Sequence, residues 1–191
     1  MTLSALIAEL EALAFDIDLK TVAAWKEKTG RKAVGTLPVY VPRELVTAAG
    51  MLPVGIMGAG AQIEIIRGDA YFQSYICQIP RSSIELALTG RFATLDGFLF
   101  PSTCDVIRNL SGMWQLLFPD AFVRYIDLPQ ASGAVAARFY RGDIEKLARE
   151  LGALSGIPVT TASLGAAIVS HNKNRDALAR LYDLRAKAPW T

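Results

Sequence analysis

Short apolar runs alternate with helical repeats along most of this chain, and that alternation restricts the folds open to it. Residues 33–37, 52–57, 97–100 and 122–126 each read as a short buried strand. Around them, apolar residues recur every three or four positions, the spacing that gathers them on one helix face. Helices are predicted over 3–15, 19–28, 43–49, 81–89, 103–118, 136–154 and 161–186, with another near 69–76. Gly30, Gly50 and Gly90 stand where three of them stop, and Pro42 suits the first turn of the helix at 43–49. Strands separated by helices are joined by crossovers, which makes them parallel. Right-handed crossovers then distribute the helices over both faces of the sheet. The expected fold is α/β: a four-stranded, parallel, doubly wound sheet of Rossmann-like or flavodoxin-like type, with extra N- and C-terminal helices.

Composition excludes several classes of function. Hydrophobic residues make up 52% of the 191 residues and charged residues 20%, so the chain can bury a core and is not disordered. The net charge is +2, with Lys and Arg spread along the sequence, so no basic block marks a nucleic-acid surface. No apolar run approaches the roughly 20 residues of a membrane span. Acidic residues interrupt the N-terminal run and no basic stretch precedes it, unlike a secretion signal. A cytoplasmic location is expected, and the sequon at Asn109, inside a predicted helix, is set aside.

The chain has two cysteines, Cys77 and Cys104. In a reducing compartment they are free thiols or metal ligands rather than a disulfide. Cys104 follows the third strand and opens the next helix, where the helix dipole favours a thiolate. Ser102 is expected to cap that helix, with Asp105 as an acidic capping-box partner. Cys77 follows the second strand through a crossover and can return to the same sheet edge, where ligands of open parallel sheets collect. Cys104 is therefore expected to be the more reactive thiol, Cys77 lacking so clear a device. The other reading is that both are small buried hydrophobes. Arg81 and Arg108, one helical turn beyond the cysteines, either meet an anionic substrate or are ordinary exposed helix residues. Gly55, Gly58 and Gly60 follow a strand but lack the order of a dinucleotide fingerprint, and a tight turn suits them better. His171 lies near an apolar stripe and is expected to pack rather than catalyse. No catalytic residue is assigned.

Three segments carry a resemblance: VYVPRELVTAAGMLPVGIMGAG, GDAYFQSYICQIPRSSIELAL and LDGFLFPSTCDVIRNLSGMWQLLFPD. Together they resemble the benzoyl-CoA reductase / 2-hydroxyacyl-CoA dehydratase family, most of all its small cluster-bearing reductase subunits. The resemblance implies an iron–sulfur cluster, usually [4Fe–4S], bound through cysteines matching Cys77 and Cys104, with a third cysteine from a second α/β domain. It implies an acyl-CoA substrate, a homologous cluster-bearing partner subunit and an ATP-hydrolysing iron–sulfur activator that delivers low-potential electrons. In reductases the product is a dienoyl-CoA; in dehydratases a ketyl radical leads to loss of water.

On this resemblance residues 1–191 form one α/β domain corresponding to the N-terminal half of a longer, two-domain protein. Residues 1–32 are its N-terminal helical segment, and residues 161–191 a helix leading toward the second domain. The third ligand is then absent from this chain, which alone is expected to carry no cluster and to self-associate as a symmetric dimer. The leading function is ATP-driven one-electron reduction of an aromatic acyl-CoA. The alternatives are a radical 2-hydroxyacyl-CoA dehydratase subunit, a truncated non-catalytic interaction module, and a thiol-containing domain without metal.

Overall fold

The computed structural model describes residues 2–189. Met1, Trp190 and Thr191, which the expected terminal segments include, lie outside the described residues. Four strands, β1 (Ala33–Thr36), β2 (Leu52–Gly55), β3 (Gly97–Pro101) and β4 (Phe122–Ile126), form one sheet in the order β2-β1-β3-β4. All three pairings are parallel. The order reverses between β1 and β3, the flavodoxin-like arrangement, so the topological switch point lies at the carboxyl ends of those two strands. β1 and β3 are buried throughout, as central strands covered on both faces must be. Pro53 has no amide hydrogen to give a ladder, and its strand β2 is accordingly an edge.

The α-helices are α1 (Leu3–Ala14), α2 (Lys20–Thr29), α3 (Arg43–Ala48), α4 (Gln78–Leu88), α5 (Asp105–Leu117), α6 (Ala134–Ser155) and α7 (Thr161–Lys187). Alternation along the strands sorts the core into two layers. Ala33, Phe98 and Phe100 point to the face covered by α4 and α5, where Ile84, Leu86, Leu110 and Trp114 meet them. Val34, Leu99 and Ile126 point to the other face, against Leu45 and Val46 of α3 and Leu147 and Leu151 of α6. Trp114 is fully buried among Phe92, Phe98, Phe100 and Phe118, with ring centroids 4.8–6.2 Å away. Each such side chain contributes roughly 1.5–3 kcal/mol by burial alone.

Ion pairs tie outer elements to the sheet. Lys26 of α2 donates to the Asp96 carboxylate and the Thr94 carbonyl, both at 2.6 Å, and Asp96 also accepts the Ala33 amide at 2.8 Å. Arg124 of β4 reaches Asp143 and Glu150 on α6. His171 packs as expected: its Nε2 lies 2.9 Å from the Thr47 hydroxyl, between α7 and α3.

Two expectations are corrected. The helix expected near 69–76 reduces to a single 3₁₀ turn at Gly68–Ala70, followed by turns. The segment is instead anchored to α4 at both ends. The Gly68 amide goes to the Glu85 carboxylate at 2.7 Å, the Ser74 carbonyl goes to Arg81 at 3.0 Å, and Phe72 turns into the core. The helix of Cys104 starts at Asp105 rather than at 103. Ser102 does not cap it; its hydroxyl instead accepts the Leu128 amide at 2.8 Å, tying the end of β3 to the segment after β4.

Candidate functional site: the carboxyl edge of the sheet

In a parallel sheet each helix that follows a strand starts at the carboxyl edge. α4 follows β2 and α5 follows β3, and the two helices pack side by side. Cys77 is the N-cap of α4 and Cys104 the N-cap of α5. Neither side chain makes a cap hydrogen bond, and both cysteines are exposed. Both thiols thus sit on the edge expected of them, each beside the free amides of a first helical turn. Their exposure sets aside the reading of two small buried hydrophobes. The two positions are equivalent, which corrects the expectation that Cys104 has a helix terminus and Cys77 does not.

The segment leading to Cys77 is shaped by one face of α4. Gln78 donates to the Gly60 carbonyl at 2.6 Å. The Ser82 hydroxyl accepts the Ala59 amide at 3.1 Å. The Glu85 carboxylate, itself buried, accepts the amides of Ile66 and Gly68. Arg81 holds the Asp69 carboxylate and the Ser74 carbonyl. Positions 78, 81, 82 and 85 share a helix face, so the crossover is clamped to α4 along its length. Gly58 belongs to this clamp. It has φ +73°, and a Cβ there would lie 2.2 Å from the Ser82 hydroxyl oxygen. Gly58 and Gly60 are turn glycines with positive φ, and Gly55 simply ends β2.

The two arginines are used differently. Arg81 is turned away into its pair with Asp69. Arg108 is exposed one turn after Cys104, its Nε donating to the Tyr125 hydroxyl at 3.3 Å and its guanidinium 5.8 Å from that ring's centroid. The Tyr125 hydroxyl, and behind it Asp105 and Asp127, hold its pKa above the ordinary arginine value. A permanent cation therefore stands beside Cys104.

The loop after β1 completes the edge. Thr103, next to Cys104, lies with its hydroxyl 3.5 Å from the Pro38 carbonyl. Val39 and Tyr40 both have positive φ, 59° and 56°. Residues without the freedom of glycine hold that conformation at a cost, commonly met where a loop lines a binding crevice. A cleft of about 610 Å³ opens between this loop, Gly55, Met57, Tyr140 and Arg175. Sequence reasoning passed over the loop, which two prolines made look like a simple connector.

An iron–sulfur cluster fits part of this arrangement. Two exposed thiols beside free helix amides and a cation are suitable donors, since such amides lower the charge on thiolate sulfur. Among the described residues no group of three or more His, Cys, Asp and Glu side chains converges to complete a metal site. Among the described residues, the two exposed thiols are the donors such a cluster could use.

Comparison with known proteins agrees with this geometry. Residues 38–191 match the family model described as 2-hydroxyglutaryl-CoA dehydratase, D-component. A benzoyl-CoA reductase subunit from Thauera aromatica is 50% identical over 192 residues, covering 100% of this chain and 50% of that protein. The beta subunit of (R)-2-hydroxyglutaryl-CoA dehydratase from Acidaminococcus fermentans is 34% identical, over 93% of this chain and 46% of its own length. The beta subunit of (R)-phenyllactyl-CoA dehydratase from Clostridium sporogenes is 30% identical, over 89% and 45%. The chain belongs to the 2-hydroxyglutaryl-CoA dehydratase D-component family. It spans about half the length of the curated relatives it matches. No helix among the described residues is long and apolar enough to cross a membrane.

Proposed function

We propose that this chain supplies half of the cluster and substrate site of an acyl-CoA-transforming enzyme of the benzoyl-CoA reductase type. The observation that carries the reading is the pair of exposed cysteines capping adjacent helices at the carboxyl edge of the sheet. The 50% identity to a benzoyl-CoA reductase subunit supports the reductase over the dehydratase. Dehydration of a 2-hydroxyacyl-CoA is the second reading, favoured by the family model and two other relatives.

Cys77 and Cys104 would hold a [4Fe–4S] cluster together with donors from a second domain or a homologous partner subunit. When bound, such a cluster supplies low-potential electrons, delivered to it by an ATP-hydrolysing iron–sulfur activator. The chain's own residues do the rest. The amides at the starts of α4 and α5 stabilise negative charge on the sulfurs. Arg108 offers a fixed cation to an anionic acyl-CoA near Cys104. The Val39–Tyr40 turn walls the crevice and limits water, with Thr103 against the Pro38 carbonyl at its base. Arg81, committed to Asp69, holds the crossover that carries Cys77 rather than meeting substrate.

The test is turnover by the assembled complex, reduced anaerobically in the presence of ATP, on benzoyl-CoA and on a 2-hydroxyacyl-CoA. The reductase reading expects a dienoyl-CoA from the first and no dehydration of the second. Dehydration of the hydroxyacyl ester alone would make the chain a dehydratase subunit. Turnover of neither ester would refute both readings.

A further inference from the structure

Among the described residues, two helices carry an apolar face that nothing covers. α1 carries Leu3, Leu6, Leu10 and Leu13 at alternating spacings of three and four, the seam of a two-helix pair. None of its residues is buried, and Leu3 and Leu10 are 73% and 55% exposed. α7 is the second. His171 meets Thr47 and Arg175 meets Glu44, so α7 runs antiparallel to α3 and climbs toward the carboxyl edge. Past Arg175 it outruns the start of α3, and the rest projects from the body for roughly 18 Å at 1.5 Å per residue. Leu178, Leu181, Tyr182 and Leu184 on this projection are all exposed.

The two faces match in charge. The charged residues of α1 are Glu9 and Glu11, with no Lys or Arg; Asp16 and Asp18 beyond it are taken up by the first amides of α2 and by Arg91. From residue 173 onward α7 holds Lys173, Arg175, Arg180, Arg185 and Lys187 against Asp176 and Asp183. Arg180 and Arg185 flank the Leu181–Leu184 seam, as Glu9 and Glu11 border the α1 seam. The helices also emerge at one edge. Leu13 and Ala14 lie beside the end of β2, as does Arg175 on the other side of Gly55 and Met57. Within one chain they rise from opposite faces of the sheet: the residues after α1 pack with α4 and α5, and Leu164 of α7 packs with α3 and α6.

We propose that the occupant of these faces is a second copy of this chain. The acidic α1 of each copy lies along the basic end of α7 of the other, about a two-fold axis at the carboxyl edge. Two reciprocal helix pairs give an isologous interface and bring the cysteine-bearing edges of two copies toward each other. The proposal rests on charge and shape and is independent of any metal.

The experiment is sedimentation equilibrium of the 191-residue chain from about 1 to 50 μM, a range suited to micromolar affinity. One variant carries Glu9→Lys with Glu11→Lys, the other Arg180→Glu with Arg185→Glu. Wild type is expected to dimerise, and each variant alone to weaken the dimer at least about tenfold through like-charge contacts. An equimolar mixture is expected to recover a heterodimer, since acidic α7 then meets basic α1 and the reverse. Recovery also shows that both variants fold. A monomeric wild type at about 50 μM, a variant that dimerises unchanged, or a mixture that stays monomeric would overturn the proposal.

Discussion

Cys77 and Cys104 are exposed because each ends a crossover and begins a helix, where the chain itself has no use for the side chain. Both thiols should therefore react with a chromogenic disulfide in the native chain without denaturant, giving two equivalents. A thiol that reacts only after unfolding would show that it is buried and unfit as a ligand. Arg81 and Arg108 illustrate what spacing leaves open. Each lies four residues after its cysteine, yet Asp69 neutralises the first, and the second keeps its charge at the surface over Tyr125. No feature of the sequence pairs Asp69 with Arg81, because the pairing depends on how the crossover folds back. Glu44 gives a prediction in pH. Burial works to raise its pKa, but the hydrogen bond from Arg175, that from its own backbone amide and the Arg175 charge outweigh it and hold the carboxyl below its ordinary value of 4.5. A depressed folded-state value stabilises the protein above the ordinary value, and this is lost as pH falls through the depressed one. Arg175 is half-exposed, so the contribution is at most about 1 kcal/mol. Glu44→Gln should lower stability at neutral pH by that amount and leave it unchanged in strong acid, as read from urea midpoints across pH. An equal loss in strong acid would mean that the effect is not ionic.

α4 is the element that fixes the site, since its polar face clamps the crossover and its first cap is Cys77. Gly58→Ala would force a Cβ against the Ser82 hydroxyl and the Ile79 carbonyl at a positive φ. It should destabilise the fold by about 1–3 kcal/mol, measured by chemical denaturation. A neutral substitution would mean that the turn is not held by α4. Behind α5, Trp114→Ala should cost about 3–5 kcal/mol by emptying the aromatic cluster. A loss under about 1 kcal/mol would show a loosely packed cluster. The strands and long helices are legible in the sequence because apolar periodicity sets them locally. Phe122–Ile126 falls where the sequence puts it, and the other strand ends and long-helix ends lie within three residues of their expected places. The 69–76 segment misleads because its path is set by Glu85 and Arg81, residues distant in sequence that anchor it to α4 at Gly68 and Ser74. Ser102 misleads for a similar reason: its partner, Leu128, lies beyond the next strand.

For the whole molecule, the parallel sheet and the carboxyl edge that carries the cysteines follow from the alternation of strands and helices, but the strand order, and with it the switch point, does not, since right-handed crossovers fit both a Rossmann-like and a flavodoxin-like order. The likeness to acyl-CoA enzymes rests on long segments around both cysteines, and the family match covers them. The remaining ligands could not be read from this chain, because two thiols cannot complete a four-iron cluster and the relatives are about twice as long. On the proposed function, Cys77 and Cys104 hold one cluster between them. Iron per chain in the anaerobically reconstituted complex tests it most directly, comparing wild type with Cys77→Ser, Cys104→Ser and the double variant. Each single replacement should remove most of the iron held at this site, the double should remove no more, and the visible charge-transfer absorption should fall in step. Unchanged iron and spectrum in both single variants, or losses that add as from two separate sites, would contradict it.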